Sequence, residues 1–254
     1  MTDAGAVLTG AARAPFEPEA VVYLVQPARR NVADLDQLLD AVRTVDGATL
    51  FLHTQMPRLR PDTGDDGPVD DLSGWVRGVV QDVTTAERLA FAIAAARPEI
   101  DDVRARLVEV LESIPQKTRA EQAAPEGGRL ELLRFEVVRV PTGMPATTAD
   151  ELFEALSRCD RTTWFHHLIE EAWLLPGPIP VVEWLKAAGA PRYAELVERE
   201  AASGRSVDGL RSRILQRWRR SGIATRLASG DRNARDSREV AGRLARRISG
   251  GDRP

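Results

Sequence analysis

The sequence predicts a mainly α-helical fold of the α+β class, made of two copies of one unit in a pseudo-two-fold arrangement with one short strand each. Three observations lead to this prediction. Apolar residues recur at helical spacing through most of the chain. Two short runs of β-branched residues each precede a series of helical patterns. One ordered set of motifs also returns in the second half, which is typical of an internal duplication.

Each copy begins with a predicted strand. Residues 21–25 and 133–140 are rich in β-branched side chains, and the two runs end at Pro27 and Pro141. Because the strands occupy equivalent positions in the two copies, we expect them to pair with each other and to cover each other's edges. A structure with the two strands far apart would contradict this hypothesis.

The rest of each copy is predicted to be helical, with about five helices per copy. Asp101 and Asp102 precede one apolar stripe and are expected to cap its helix, and Asp208 precedes another stripe. Residues 61–68 hold two glycines and three aspartates, which indicates a polar loop. The two stripes consist of Val103, Leu107, Val110, Leu111 and Ile114, and of Leu210, Ile214, Leu215 and Trp218.

The same motifs occur twice in the same order. Their offset drifts from 114 to 107 residues as small deletions accumulate, which predicts two copies of a unit of about 95 residues. In the first half the motifs are Leu38 to Val42, Thr49 to His53, Trp75 to Arg77, Ala86 to Leu89 and Arg104 to Val108. In the second half they are Leu152 to Leu156, Thr162 to His166, Trp184 to Lys186, Ala194 to Val197 and Arg211 to Leu215.

These copies divide the chain into five predicted segments. The segment between the copies is rich in Ala, Gln and Glu and closes with Pro125-Glu126-Gly127-Gly128, which is typical of a linker. The segments are a flexible N-terminus at 1–19, copy 1 at 20–114, the linker at 115–129, copy 2 at 130–220 and a basic C-terminal tail with a short amphipathic helix at 221–254.

Composition excludes several classes of protein. With 254 residues, 43% of them hydrophobic and 29% charged, the chain fits a folded globular protein rather than a collagen-like or wholly disordered one. Its single cysteine, Cys159, cannot form an intramolecular disulfide, which favours the reducing cytoplasm. Residues 1–18 lack a signal-peptide pattern, and the longest apolar run, residues 90–96, is too short to span a membrane. We therefore expect a cytoplasmic protein without a membrane span.

The C-terminal tail is rich in arginine. Residues 205–254 hold fourteen arginines and five acidic residues, a net charge of +9 against −12 for residues 1–204. Three apolar residues spaced four apart predict a short amphipathic helix. Because such a helix is marginal by itself, we expect it to pack on the body or to fold on a partner, with an acidic protein as one candidate, and the alternative is a disordered tail. Lipid and nucleic acid are less favoured, because the stripe is narrow and no aromatic residues are interleaved with the arginines. The residues expected to contact the partner are Arg238, Val240, Leu244, Arg247 and Ile248.

The repeated motifs resemble those of a known family. The first copy carries them at His53, Arg58-Leu59-Arg60, Asp71-Leu72 with Trp75, Ala86-Glu87-Arg88-Leu89 and residues 104–112. The second copy carries them at residues 135–138, 141–143, 164–166 and 170–172, at Trp184 and at residues 211–214. On these residues the chain, over about positions 20–220, resembles the family called domain of unknown function 5752. The resemblance implies a duplicated unit that ends in an amphipathic helix, and it implies no activity. Departures from the pattern lie at Phe51-Leu52 and at residues 180–183.

Histidines are the most informative candidate functional residues. Only three occur, and His53 and His166 hold the same place in the two copies. A neutral imidazole can bind a metal or move a proton near pH 7, and Glu170 lies four residues after His166 on the same predicted helical face. The alternative is that each histidine is structural and ties the start of a helix to a neighbouring backbone. Duplication by itself explains why the two are equivalent.

Signatures of familiar enzymes are missing. The sequence has no Gly-x-Ser-x-Gly elbow, no phosphate loop ending in Gly-Lys-Ser/Thr, no Gly-x-Gly-x-x-Gly and no His-Glu-x-x-His. Acidic pairs at 65–66, 70–71, 101–102 and 170–171 lie in predicted loops, at helix starts or in polar helical stretches, where solvation or capping explains them. We therefore expect no cofactor and no bound metal.

Together these features predict a non-enzymatic cytoplasmic adaptor that binds a protein partner through the groove between the copies and the basic C-terminal helix. The alternative is a metal- or small-ligand-dependent enzyme or binding protein that uses His53 and His166 at the interface between the copies. A second alternative is a nucleic-acid accessory protein that acts through the Arg-rich tail. The candidate groove residues are His53, Arg60, Trp75, His166, Glu170 and Trp184.

Overall fold

The computed structural model describes residues 14–60 and 70–221. The chain divides into two compact units, Met1–Ser212 and Arg213–Pro254. The predicted loop at 61–68 and the tail residues from Arg238 to Ile248 lie outside the described residues. In the described part of the chain, no helix is both long and apolar enough to cross a membrane.

Helices make up most of the described chain, as predicted. The first half also contains a 3₁₀ turn at Met56–Leu59 and a π-helical turn at Val76–Val80. Its α-helices are α1 (Leu35–Thr44), α2 (Gly47–Thr54), α3 (Asp71–Trp75), α4 (Val83–Ala94), α5 (Ile100–Glu112) and α6 (Gln116–Glu121). The last of these lies inside the predicted linker. Helix α5 begins after Glu99, so Asp101 and Asp102 lie in its first turn and do not cap it.

The second half contains the remaining helices. A π-helical turn at His166–Glu170 joins two short helices end to end. The α-helices are α7 (Ala149–Arg158), α8 (Arg161–Phe165), α9 (Glu171–Leu174), α10 (Pro180–Ala187), α11 (Pro191–Ala201) and a helix at residues 207–221. Helix α7 begins with a complete capping box, in which Thr148 and Glu151 satisfy each other's backbone N–H groups.

One two-stranded antiparallel ribbon accompanies the helices. Strand β1 (Glu19–Val32) pairs with β2 (Leu130–Pro141) from Glu19 opposite Pro141 to Val32 opposite Leu130. The register shifts between Pro27 and Arg30, where the intervening Arg29 has a φ of 55°. A bulge of this kind absorbs extra residues by locally leaving the regular ladder. The predicted pairing of the two strands is therefore confirmed, while the duplication that motivated it stays a prediction.

The inner face of the ribbon covers an aromatic cluster drawn from both halves of the chain. Phe51 and Phe165 are fully buried, and their ring centroids lie 5.6 Å apart. Tyr23 on β1 and Phe135 on β2 complete the cluster, with their ring centroids 5.5 Å apart. Tilted and edge-to-face rings at such separations stabilise one another beyond the area that they bury. The two predicted copies consequently share one core here.

Residues 14–18, which the sequence assigns to a flexible N-terminus, are also tied to the second half. The backbones of Phe16 and Ala146 exchange two hydrogen bonds, at 2.9 and 2.7 Å. The Phe16 ring lies 5.8 Å from that of Trp184 and 5.2 Å from that of His167. These contacts fix the chain immediately before β1, and with it the position of Glu19.

Candidate metal centre

Two histidines hold the ends of the ribbon against the helices. The Nε2 atom of His53 accepts a hydrogen bond of 2.9 Å from the backbone N–H of Leu133. The Nε2 atom of His167 accepts one of 2.9 Å from the backbone N–H of Glu19. The predicted structural role of tethering backbone is therefore found at His53 and His167. His53 was predicted to share this role with His166, but it is His167 whose Nε2 atom accepts the backbone N–H. The equivalence of residues in the two copies stays a prediction.

His166 is left with a different environment, which the π-helical turn creates. A π turn inserts an extra residue into a helix and redirects the side chains beside it, and such turns are frequent at functional sites. His166 and Glu170 lie at the two ends of this turn, and both are buried. The turn brings the Nδ1 atom of His166 within 2.9 Å of the Oε2 atom of Glu170.

Glu170 is held by a second donor from the ribbon. The hydroxyl of Tyr23 donates a hydrogen bond of 2.6 Å to the same Oε2 atom, and Nη2 of Arg139 lies 3.7 Å from Oε1. Burial and the adjacent Glu170 charge raise the pKa of Tyr23 far above its ordinary value, so its proton stays on the phenol. Because the Glu170 carboxylate accepts, we assign the neutral His166 a proton on Nδ1.

The other ring nitrogen of His166 is buried without a hydrogen-bond partner among the described residues. It lies 3.5 Å from Oε2 of Glu19 and 3.6 Å from Oε1 of Glu171. Both distances exceed those of ordinary N–H···O hydrogen bonds, about 2.7–3.2 Å. In the assigned tautomer the lone pair of Nε2 faces two carboxylate oxygens.

His167 positions these two carboxylates. Its Nε2 atom holds the backbone of Glu19, and its Nδ1 atom lies 3.3 Å from Oε2 of Glu171. With Nε2 accepting, the ring proton sits on Nδ1 and points to Glu171. Both nitrogens of His167 are consequently engaged, while Oε1 of Glu171 remains directed at His166.

The donor atoms around His166 are of the kind that bind a small divalent cation. His166, His167 and Glu171 form a cluster whose ligand atoms lie within 4.8 Å of one another, and Glu19 adds a second carboxylate at 3.5 Å from His166. Donors about 2.0–2.1 Å from a tetrahedral zinc ion are separated by about 3.4 Å. The two distances from Nε2 match this spacing closely. A mixed imidazole and carboxylate set suits zinc and also manganese.

The remaining residues predicted to line a groove do not join this cluster. Nδ1 of His53 lies 3.1 Å from Asp71, which also accepts a hydrogen bond from Arg60. Trp75 and Trp184 are buried and donate their indole N–H groups to backbone carbonyls. Arg60 alone among the six candidates is exposed, with 61% of its side chain accessible. The six candidates therefore do not form one open groove.

Sequence reasoning missed three residues of the centre. Glu171 carries a usable signal, since it follows His167 by four residues, the spacing of neighbours on a helix. Glu19 and Tyr23 carry none, because each lies more than 140 residues from its partner in sequence. Pairing of β1 with β2 is what brings them to the π-helical turn.

Comparisons with known proteins place the chain in a family and a fold. A family model described as "Family of unknown function (DUF5752)" matches residues 13–219. The solved structure described as "The structure of OrfY from Thermoproteus tenax" is similar, with a TM-score of 0.69 and 21% sequence identity over 81% of this chain and 94% of that chain. At this identity the likeness concerns the fold. A comparison with curated proteins gives no match.

Proposed function

We propose that this chain, which belongs to the DUF5752 family of unknown function, is a metal-ion-binding protein. The proposed centre consists of His166, Glu19 and Glu171. The observation that carries this proposal is the buried Nε2 atom of His166, which has no partner in the described chain. The proposal departs from the sequence-based expectation of no bound metal. That expectation was made without knowing that Glu19 lies 3.5 Å from His166.

Buried polar atoms without partners are costly, which is why the geometry supports a ligand. An unsatisfied buried group loses about 1–3 kcal/mol relative to a satisfied one. A cation between Nε2 and the two carboxylates would satisfy the nitrogen and neutralise both charges. Glu170 would orient the imidazole from behind, as carboxylates do for most metal-bound histidines.

The proposed centre offers three protein ligands. Glu19 keeps 36% of its side chain accessible, so solvent reaches the metal from that side. A tetrahedral ion with three protein ligands retains a fourth position for water or a small ligand. We therefore propose a centre that captures a ligand, and not merely one that stabilises the fold. The proposal includes a cytoplasmic location, since Cys159 is a free buried thiol.

Metal binding is tested with tag-free protein, because affinity tags themselves bind zinc. The protein is stripped with chelator, dialysed and titrated separately with zinc and manganese by calorimetry, with melting temperature as a second measurement. One equivalent of metal is expected. At a free metal concentration 100 times the dissociation constant, the stabilisation is about 2.7 kcal/mol, which raises the melting temperature by about 5–11 °C.

Three variants make the test specific. His166→Gln and Glu171→Gln are expected to abolish the metal-induced shift, because each removes a ligand while keeping a similar volume. Glu183→Gln is the matched control, since Glu183 is a half-exposed glutamate paired with Lys186. Absence of stoichiometric metal in the native protein, or an undiminished shift in His166→Gln, would refute the proposal.

Partner binding is a second candidate function, favoured by the outer face of the ribbon. Val22 and Leu24 on β1 and Val138 and Val140 on β2 are all about half exposed, between 46% and 58%. Val22 lies directly opposite Val138, so the four side chains form one apolar patch. Exposed patches of this kind mark interaction sites. The basic tail that was predicted to share this role lies outside the described residues.

We propose a second copy of the chain as the occupant of this patch. A symmetric dimer buries the same patch of both subunits, so the patch must be complementary to itself. Four aliphatic side chains meet this requirement, because apolar contacts need no opposite charge and no donor facing an acceptor. Light scattering during gel filtration should show a dimer that Val22→Lys converts to a monomer. Phe91→Lys is the control, because Phe91 is 74% exposed elsewhere. A monomeric native protein at high concentration would exclude this candidate.

A further inference from the structure

A second region holds a buried cation that has no acidic partner in the described part of the chain. Arg58, in the 3₁₀ turn Met56–Leu59, is only 4% exposed. Its Nε atom donates a hydrogen bond of 2.8 Å to the carbonyl of Arg205, and Nη2 donates one of 3.3 Å to the carbonyl of Ala201. Within residues 14–60 and 70–221, no carboxylate forms an ion pair with this guanidinium. Three of its five N–H donors remain available.

This arrangement is unusual for a purely structural arginine. Burial lowers the pKa of Arg58 to about 10, so the side chain is still a cation at neutral pH. Buried charges in proteins are normally paired or bound to an ion. The carbonyl of Ala201, at the end of α11, and that of Arg205, in the segment that follows, supply partial negative charge, but they leave the net positive charge uncompensated.

Arg58 lines a cleft of ligand-binding size. The cleft has a volume of about 590 Å³, within the range of small-molecule sites, roughly 300–1,000 Å³. One wall is apolar and consists of Ala90, Ile93 and Ala94 of α4. Arg77 also lines the cleft, and half of its side chain is accessible. The cleft therefore combines an apolar wall with two arginines, Arg58 and Arg77, and one acid, Asp70, and Arg77 also lies 3.6 Å from Glu87.

Trp173, which lines the same cleft, carries a further unsatisfied donor. The indole Nε1 of Trp173 is buried and has no hydrogen-bond partner in the described part of the chain, and Trp173 is only 6% exposed. Asp70, the acid in the cleft, is already engaged, because its carboxylate accepts from both the backbone N–H and the hydroxyl of Ser73. The unsatisfied groups that face the cleft are thus hydrogen-bond donors.

The geometry points to an oxyanion-binding site at Arg58 and Trp173 that takes a small molecule bearing a phosphate or carboxylate on an apolar body. The guanidinium presents a planar fork of donors, which matches both kinds of oxyanion. The indole N–H supplies a further hydrogen bond, and the wall of α4 contacts the apolar part. This site shares no ligand residue with the proposed metal centre.

Binding is measured by calorimetry with phenyl phosphate, benzoate and, as the neutral analogue, benzyl alcohol. Chelator is present throughout, so that an anion cannot bind through a metal at His166. Saturable binding of phenyl phosphate or benzoate in the millimolar range or tighter is expected, and the stronger of the two identifies the preferred oxyanion. Benzyl alcohol should not bind measurably. Failure of both anions to bind overturns the inference.

Variants locate the binding within the cleft. Arg58→Met keeps a similar length without charge and should weaken binding by about tenfold or more. Trp173→Phe removes only the N–H donor and should weaken it by about threefold or more. Arg43→Met is the matched control, because Arg43 lies on the surface beside Glu112. His166→Gln should bind the anion unchanged.

Folding of each variant is checked by circular dichroism and melting temperature. Arg58 also holds the end of α11, so Arg58→Met is the variant most at risk of unfolding. If it does not fold, Trp173→Phe decides the outcome by itself. Equal affinity in native protein and Trp173→Phe would place the anion elsewhere and overturn the inference.

Discussion

Replacing Phe165 by alanine tests whether the two halves of the chain share one core. Phe165 is fully buried, and its ring centroid lies 5.6 Å from that of Phe51 and 5.9 Å from that of Tyr23. Phe51 comes from the first half of the chain, and Tyr23 comes from β1. If the halves were independent domains, the loss of Phe165 would not affect the energetic contribution of Phe51.

The expected magnitude follows from burial. Truncation of a buried phenylalanine to alanine costs about 3–5 kcal/mol, because transfer energy is lost and a cavity remains. For a chain of this size each kcal/mol lowers the melting temperature by about 2–4 °C, which gives a fall of about 6–20 °C. Phe91→Ala is the control, since Phe91 is 74% exposed, and it should change stability by about 0.5 kcal/mol or less.

A double-mutant cycle supplies the decisive measurement. Urea unfolding is followed by circular dichroism and tryptophan fluorescence for the native protein, Phe165→Ala, Phe51→Ala and the double variant, all in chelator to remove any effect of bound metal. Rings in contact should give a coupling energy of about 0.5–3 kcal/mol. Additivity within about 0.3 kcal/mol, or two separate unfolding transitions, would refute the shared core.

Three further predictions concern a cap, an ion pair and the metal centre. Thr148→Ala removes the capping box of α7 and should cost about 1 kcal/mol of unfolding free energy in urea; no change would contradict the cap. Burial alone would raise the pKa of Asp71, but hydrogen bonds from His53 and Arg60 outweigh it and hold the pKa below its ordinary value. The stability that Asp71 contributes is present above its unfolded pKa and lost as pH falls through the folded pKa, so Asp71→Asn should flatten the acid limb of a stability-versus-pH curve. Glu170→Gln should weaken metal binding by about 10–100-fold in calorimetry, and unchanged affinity would remove Glu170 from the centre.

Much of the fold was predictable because its signals are local. Apolar residues at helical spacing predicted the helices, and Asp34, Asp46 and Asp160 each cap a helix through their own side chains. The two β-branched runs predicted β1 and β2 as well as their pairing. The helix α6 inside the linker was missed, since none of its residues is buried and no apolar stripe marks it.

The candidate site was predicted only in part. His166 and Glu170 were predicted to share one helical face, with metal binding only as an alternative, and in the structure Glu170 contacts Nδ1 of the His166 imidazole and orients it. A π-helical turn cannot be read from helical periodicity, because its sequence pattern differs from that of an α-helix by a single inserted residue.

The sequence by itself determined the mainly helical class, the strand pairing and the DUF5752 family, since these depend on short-range patterns that survive without a structure. Only the tertiary structure decided which polar atoms of the described residues are buried and unsatisfied, among them Nε2 of His166 and Nε1 of Trp173. Burial and hydrogen-bond satisfaction depend on which distant segments meet. Glu19, at the start of β1, lies beside His166 in the π-helical turn, and Arg58 contacts the end of α11. No local sequence pattern specifies either contact.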